Sequence, residues 1–330
     1  MTLAESPIDC SSPPAGPQTG GRTLRVMTYN VRYFGHATRG LASTGLSFRR
    51  IARSLAALDP LPDLICLQEV ETQSIRSTTA NRLWHPAETQ LDRVMTELHA
   101  ALARAKKPDR FTAYYFPAHT YRLTQRTNIY TTGLAVIASD ALDIGHHNAG
   151  RPHDITDRRR VKNLKQTRIC AHVSFKHVDG FTFDVFNTHL SLPNIFSKEF
   201  WTEEARMGFG PNQLAEAKTL AEFVASEKRS ENYVVVGDFN SLPGSPVDLY
   251  LQEQHGLVDA FARVRGFTSA ESRDYPTAGF LNLRMHLDHV YSSPSLEWLD
   301  FEGTQRFGEA GAFSGLSDHV PLIARVRVPR

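Results

Sequence analysis
The stretch VVVGDFNSLPGS, residues 234–245, carries three valines to a glycine and then sets a carboxylate and an amide two positions apart. The same change from apolar run to polar side chain recurs along the chain. VMTYN closes on Asn30, LICLQE on Glu69 and VFNTH on His189, while Asp288 and His289 interrupt LDHVY, and Asp318 and His319 stand just before VPLIARV. This recurrence constrains the fold more than any other feature. A side chain at a strand end is held by a buried scaffold and still reaches a cleft, which is how precise sites are built. Taken singly, each residue has a plainer reading. Asn30 or Asn240 alone is a turn residue making local backbone bonds, Asp288 a capping carboxylate, and a lone histidine a satisfied structural one. The repetition of the arrangement weakens the plain readings together.

Between these runs the pattern alternates. SFRRIARSLAALDP has Ile51, Leu55 and Leu58 at helical spacing, with Ser47 as its cap and Pro60 as its stop. Leu91, Val94, Met95, Leu98 and Leu102 define a longer helix, roughly Glu88 to Lys106. Pro211 opens another, and Ser245 with Pro246 reads as a cap followed by proline in the first turn. GLAVIAS, TRICAHVSF and FTFDVFNTHL read as strands, the last two joined by a hairpin turn at KHVDG. Strands and helices interleave, yet hairpin-like pairs are present, so mixed sheets covered by helices are expected. Residues 1–22, rich in Ser, Pro and Gly, are expected as a flexible tail, and 23–330 as one domain.

The residue types suit one chemistry. Asp, Glu and Asn are hard oxygen ligands, which fit Mg²⁺ or Mn²⁺ rather than zinc. Histidines can bond a phosphoryl oxygen or move protons near neutral pH, and a neighbouring carboxylate fixes their tautomer. Hydrolysis of a phosphate ester needs these parts: charge neutralisation, an oriented water and help for the leaving oxygen. A calcium loop starting at Asp238 is excluded, because its fifth, sixth and twelfth positions are Leu242, Pro243 and Leu249. No serine or cysteine nucleophile with a paired base is evident. Cys10, Cys66 and Cys170 suit neither a disulfide framework nor a zinc site.

As a set, VMTYNVR, LICLQEVE, GLAVIAS, FNTHLS, VVVGDFNSLPGSP, LDHVYSS and LSDHVPLIARV resemble, in order, the motifs of the endonuclease/exonuclease/phosphatase superfamily. The resemblance spans Arg25 to Val328. It implies an α/β fold of the deoxyribonuclease I type, a four-layer α-β-β-α sandwich of two mixed sheets. It also implies roles. Glu69 resembles the principal metal ligand, Asn30 the asparagine near metal and phosphate, and Asp318 a further metal ligand. Asp238 and Asn240 resemble the pair that orients the attacking water and contacts the scissile phosphate. Asp288 resembles the carboxylate that orients a catalytic histidine, here His319, and His189 the histidine of the THL motif. Gln68 is expected to support them from behind. The implied activity is divalent-metal-dependent hydrolysis of a phosphoester, a phosphodiesterase or nuclease first. A phospholipase C-like enzyme or phosphatase is the alternative, and an inactive binding module on the same fold the minor one. The intact residue set argues against the module.

Substrate is less legible. Residues 151–168 hold seven Arg or Lys against two Asp, so Arg158, Arg159 and Arg160 are candidate contacts to a phosphate backbone, or simply a solvated charge run. Phe196, Phe200, Trp201, Met207 and Phe209 follow His189. They read as a lid, a stacking surface, a lipid-facing group or buried packing, with Trp201 the candidate substrate contact. A net charge of +2 gives no global field for nucleic acid. The N-terminus lacks a basic and an apolar signal region, and no apolar run approaches a membrane span. A cytoplasmic protein with no membrane insertion and no obligate protein partner is therefore expected, with nucleic acid among its candidate substrates.

Overall fold
Along the first strand Leu24 and Val26 turn one way, Met27 and Tyr29 the other, and all four are fully buried. A strand buried on both faces must lie between two layers. The computed structural model describes residues 21–32, 45–71, 89–124, 127–157, 167–176, 181–193, 207–280 and 282–329. The elements run β1 (Arg22–Asn30), α1 (Gly45–Ala56), β2 (Leu64–Glu71), α2 (Gln90–Arg104), β3 (Phe111–Thr124), β4 (Thr127–Ser139), β5 (Asp143–His147), β6 (His153–Asp154), β7 (Ile169–Lys176) and β8 (Thr182–His189). They continue with α3 (Pro211–Glu227), β9 (Tyr233–Asp238), α4 (Pro246–Leu249), a π-helical turn Tyr250–Gln254, β10 (Val258–Asp259), α5 (Ala260–Arg265) and α6 (Ser269–Arg273). The last are β11 (Ala278–Phe280), β12 (Leu283–Met285), β13 (Asp288–Ser292), β14 (Glu297–Asp300) and β15 (Leu322–Val328).

Two mixed sheets result. One has the order β14-β15-β1-β2-β4-β3, the other β10-β13-β9-β8-β7-β5 with β6 also on β7. Leu24, Val26, Cys66 and Val136 of the first pack against Val173, Val185, Val236 and Val290 of the second. The outer face of the first sheet buries Ile51, Leu55, Val94 and Leu98 of α1 and α2. The outer face of the second buries Ala217, Leu220 and Val224 of α3 with Val247 of α4. These are the four layers that the sequence resemblance implied.

Local chemistry corrects several expectations. Ser47 sits inside the first turn of α1 rather than capping it, because the helix already begins at Gly45. The cap of α2 is Thr89, whose hydroxyl accepts from the Asp92 N–H while the Asp92 carboxylate accepts from the Thr89 N–H. Ser245 does cap α4, with Pro246 in the first turn. The strand β3 has no aliphatic run to mark it: it mixes Thr, His and Arg with Ala and aromatic residues. Residues 177–180 of KHVDG fall outside the described residues, but Lys176 pairs with Thr182 across β7 and β8 as a hairpin requires.

Gly237 is required by the close approach of two strands. Its φ is +146°, and a Cβ there would sit 2.0 Å from the Thr188 carbonyl oxygen of the adjacent strand. The glycine lets β8 close on β9. Gly237→Ala is expected to cost on the order of 2 kcal/mol or more, read as a lowered urea midpoint; an unchanged midpoint contradicts this.

Candidate active site
Strand direction decides what meets what. β1 and β2 are parallel, so Asn30 lies opposite Gln68. β8 and β9 are parallel, so His189 lies opposite Asp238. β13 runs antiparallel to β9 and starts with Asp288 opposite Asp238. β15 runs antiparallel to β1, and the turn before it brings the Ser317 hydroxyl to the Asn30 carbonyl at 2.7 Å. Asn30, Glu69, Asp318 and His319 thus arrive from the first sheet, and His189, Asp238, Asn240 and Asp288 from the second, at one end of the sandwich.

Asp238 is the shared centre. One carboxylate oxygen accepts from the Asn30 amide at 2.9 Å, and the other from the Asn240 backbone N–H at 2.9 Å. The Nε2 atoms of His189 and His319 approach the first oxygen at 3.5 and 3.6 Å. Asn240 does not continue the strand that carries Asp238. Asn240 has φ +47°, a tight turn that carries its amide back to the His189 Nε2 at 3.2 Å and the Leu190 carbonyl at 2.9 Å. Both residues still face the same cluster.

Glu69 does not close its strand either. β2 continues to Glu71, but its register on β4 slips between Leu67 opposite Ala135 and Val70 opposite Gly133. Two residues fill the space of one, and Glu69 takes φ +57°. A bulge of this kind re-aims a side chain. Regular alternation would send Glu69 to the helix-covered face beside Leu67; the bulge instead leaves its carboxylate 3.9 Å from the His189 Nε2.

His319 gives its Nδ1 to Asp288 at 2.8 Å. Asp288 is fully buried and is held by the Thr277 hydroxyl at 2.6 Å. Burial works against the imidazolium, but Asp288 and Asp238 outweigh it and push His319 up to about 10. His189 moves the opposite way: burial, Arg168 and His319 hold it well below the usual histidine range. Burial, then Asp318 and Asp238, raise Glu69 to about 7. Burial raises Asp238 to about 6 against the pull of His319. The cluster therefore pushes one imidazole toward its cationic form and the other toward its neutral form, among crowded carboxylates.

Three acids whose charges oppose one another, with hard oxygen donors, fit a divalent cation. Asp318 has Arg32 as partner at 2.6 Å, and Glu69 is one-fifth exposed, at 19%, so its carboxylate is reachable. Asp238, Asp288 and His319 also present ligand atoms within 4.8 Å of one another, although Asp288 and His319 already bond each other. The buried trio Asp248, Asp259 and His289 is structural. Asp248 accepts from Tyr291, Gln252 and the Gly244 N–H, and His289 gives Nε2 to the Ser241 carbonyl at 2.8 Å while its Nδ1 faces Asp259 at 3.7 Å.

Several supporting residues escaped the sequence reading. Gln213 and Glu216, one turn apart on α3, clamp the loops carrying the site. The Gln213 amide donates to the carbonyls of Ser191 and Asn240, and the Glu216 carboxylate accepts from the N–H and hydroxyl of Ser191. Their i, i+3 spacing beside Ala217 and Leu220 was the available signal. Gln68, expected behind the site, donates to Thr28 and to Asn187 between the sheets. Of the basic segment, Arg168 lines a recess with Thr132, Leu134 and His189. Arg158, Arg159, Arg160, Trp201, Phe196 and Phe200 lie outside the described residues. No helix among the described residues is long and apolar enough to cross a membrane.

A model of the Endonuclease/Exonuclease/phosphatase family matches residues 27–319. No curated protein matches the chain. Among solved structures, an endonuclease/exonuclease/phosphatase from Beutenbergia cavernae shares 18% identity at a TM-score of 0.61, covering 93% of this chain and 72% of that one. The human nocturnin catalytic domain with bound sulfate shares 17% at 0.57, covering 94% and 97%. A mannosyl-6-phosphatase from Bacteroides thetaiotaomicron shares 18% at 0.56, covering 92% and 99%. Identities this low carry the fold and not the substrate.

The crowding has a measurable sign. A carboxylate whose folded pKa is raised weakens the fold when ionised, so the Glu69 penalty is full above about pH 7 and disappears as pH falls toward 4.5. In EDTA, Glu69→Gln is expected to raise the melting temperature at pH 8 and to lose that advantage near pH 5. A variant less stable than the native protein at pH 8 contradicts the crowding.

Proposed function
Because the chain belongs to the endonuclease/exonuclease/phosphatase family, we propose that it hydrolyses phosphodiester bonds, with nucleic acid the first candidate substrate, by in-line attack of water on phosphorus. The observation that carries this reading is the convergence of the His189 and His319 Nε2 atoms on one oxygen of Asp238, at 3.5 and 3.6 Å, beside a group of oxygen donors.

Each residue has a role that follows from its surroundings. Asp238, raised to about 6 and steered by Asn30 and the Asn240 N–H, orients the attacking water and accepts its proton. His319, kept cationic by Asp288, donates from Nε2 to a phosphoryl oxygen as negative charge builds there. His189, beside the Asn240 amide and favoured in its neutral form, would bond a second phosphoryl oxygen in the tautomer that carries its proton on Nε2. Thr277 and Asp288 position His319 and do not touch substrate. Arg168 supplies a fixed positive charge at the rim beside His189. Glu69, Asn30 and Asp318 would hold Mg²⁺ or Mn²⁺, whose chemistry when bound is charge neutralisation at the phosphoryl and leaving oxygens. Water forms the new P–O bond, the ester P–O bond breaks, and an alcohol and a phosphomonoester leave.

A second reading, hydrolysis of a phosphomonoester, is favoured by the mannosyl-6-phosphatase among the fold neighbours. Rates on plasmid DNA, single-stranded DNA, RNA, bis-p-nitrophenyl phosphate and p-nitrophenyl phosphate separate the two. Faster hydrolysis of a diester supports the proposal, and hydrolysis of monoesters alone selects the second reading. Glu69→Gln and His319→Ala are each expected to lower kcat by about 10²–10⁴-fold with the fold retained by circular dichroism. Near-native activity in either removes the mechanism. EDTA is expected to abolish turnover and Mg²⁺ or Mn²⁺ to restore it; a fully EDTA-resistant enzyme excludes the metal assignment.

A further inference from the structure
Successive residues of β13 serve opposite faces of the second sheet. Asp288 and Val290 turn toward the first sheet, Asp288 onto His319 and Val290 into the core between the sheets. Alternation sends His289 and Tyr291 the other way, and Tyr291 joins Phe239 in the outer core under α3. The turn that leaves β9 meets His289 on that outer face. Asn240 lies in this turn with φ +47°, so the place of its amide depends on how the turn is held and not on the strand. Two consecutive carbonyls of the turn are held by side chains. That of Asn240 accepts from the Gln213 amide at 2.7 Å, and that of Ser241 from the His289 Nε2 at 2.8 Å.

A carbonyl oxygen only accepts, so His289 carries a proton on Nε2. Its Nδ1 faces the Asp259 carboxylate at 3.7 Å. Asp259 is itself fixed, because it caps α5 by accepting from the Ala262 N–H at 3.0 Å. A carboxylate on that side favours the doubly protonated ring, which also keeps the Nε2 proton. Burial opposes that form, but Asp259 outweighs burial and raises His289 above its ordinary value. The donor to Ser241 is thus present in each favoured state of the ring. Nor is the ring free to turn. It is 1% exposed, stacks on Tyr291 with centres 5.1 Å apart and meets Phe239 edge to face at 5.6 Å. Tyr291 donates in turn to Asp248, which accepts from the Gly244 N–H at 2.6 Å. The outer face of β13 therefore grips the turn at Ser241 and at Gly244, while Gln213 grips Asn240 from α3.

From this arrangement we propose that His289 is a positioning residue for hydrolysis, holding the Asn240 turn against Asp238 and His189 as Asp288 holds His319. The hold passes through the Ser241 carbonyl to its neighbour Asn240. The Asn240 N–H steers Asp238, and the Asn240 amide lies 3.2 Å from the His189 Nε2. One short strand thus sets both halves of the site, with adjacent residues on opposite faces. His289 acts through the turn and not on substrate. The proposal rests on the hydrolase reading.

A double-mutant cycle on the full chain, read as turnover of bis-p-nitrophenyl phosphate with Mg²⁺, tests it. His289→Leu is expected to lower kcat about 10–100-fold. His289→Gln, whose amide can reach the same carbonyl, is expected to recover most of that loss. Asn240→Gly keeps the positive φ and removes the amide. In that background His289→Leu is expected to cost no more than about threefold, since the group it positions is gone. Mn²⁺ affinity, measured by calorimetry, is expected to match the native protein in His289→Leu, because Glu69, Asn30 and Asp318 belong to the other sheet. Where circular dichroism shows that His289→Leu does not fold, His289→Phe keeps a ring against Tyr291 without a donor and carries the same test. Native kcat in the folded variant overturns the proposal. So does a Gln variant as slow as the Leu one, an equal loss in both backgrounds, or a loss of Mn²⁺ affinity as large as the loss of kcat. A native protein inactive on every phosphoester overturns the hydrolase reading, and the proposal with it.

Discussion
Asn187 is the side chain through which the two sheets hold each other at the end where the polar groups gather. It belongs to β8, yet its amide donates to the carbonyls of Leu67 and Ala135 in the facing sheet, at 3.1 Å each, and its own oxygen accepts from Gln68 at 2.8 Å. All three bonds are buried, where an unmade bond costs about 1–3 kcal/mol. Sheet-on-sheet packing by aliphatic side chains is tolerant of small slips; this directional tie is not. Half of the candidate site comes from each sheet, so the distance between Glu69 and Asp238 depends on it.

Backbone distortion is concentrated at the same end. Glu69 and Asn240 have positive φ, and Gly237 stands between Thr188 and the start of the cluster with a backbone that no other residue accommodates. Each distortion re-aims or admits one polar group, and the surrounding β-ladders hold it in place. Electrostatics completes the arrangement. Asp238 and Asp288 make His319 a cation, while Arg168 and His319 help keep His189 neutral. Two residues of one type are thus shifted in opposite directions by their surroundings.

The strands that end in Asn30, His189 and Asp238 were legible because an apolar run followed by a polar residue is a local pattern. So were Ser245 with Pro246 and the helical face of α2. The bulge at Glu69 was not, since the sequence LQEVE looks the same with or without it and only the pairing with β4 decides. Gln213 and Glu216 were hidden because polar residues on a helix read as a solvated face, whereas here they satisfy the backbone of two loops. Thr277 lies eleven residues from the Asp288 it supports, and nothing local links them. Likewise, 48 residues separate His289 from the Ser241 carbonyl that it holds.

The central claim is that two half-sites, one from each sheet, act together on phosphorus. Hydrolysis of bis-p-nitrophenyl phosphate by the magnesium-supplied protein in oxygen-18-labelled water addresses it directly. One labelled oxygen is expected in each p-nitrophenyl phosphate released, as attack on phosphorus requires. Label in the p-nitrophenol instead would place the attack on carbon and contradict the assignment of Asp238, His189 and His319 around a phosphoryl group.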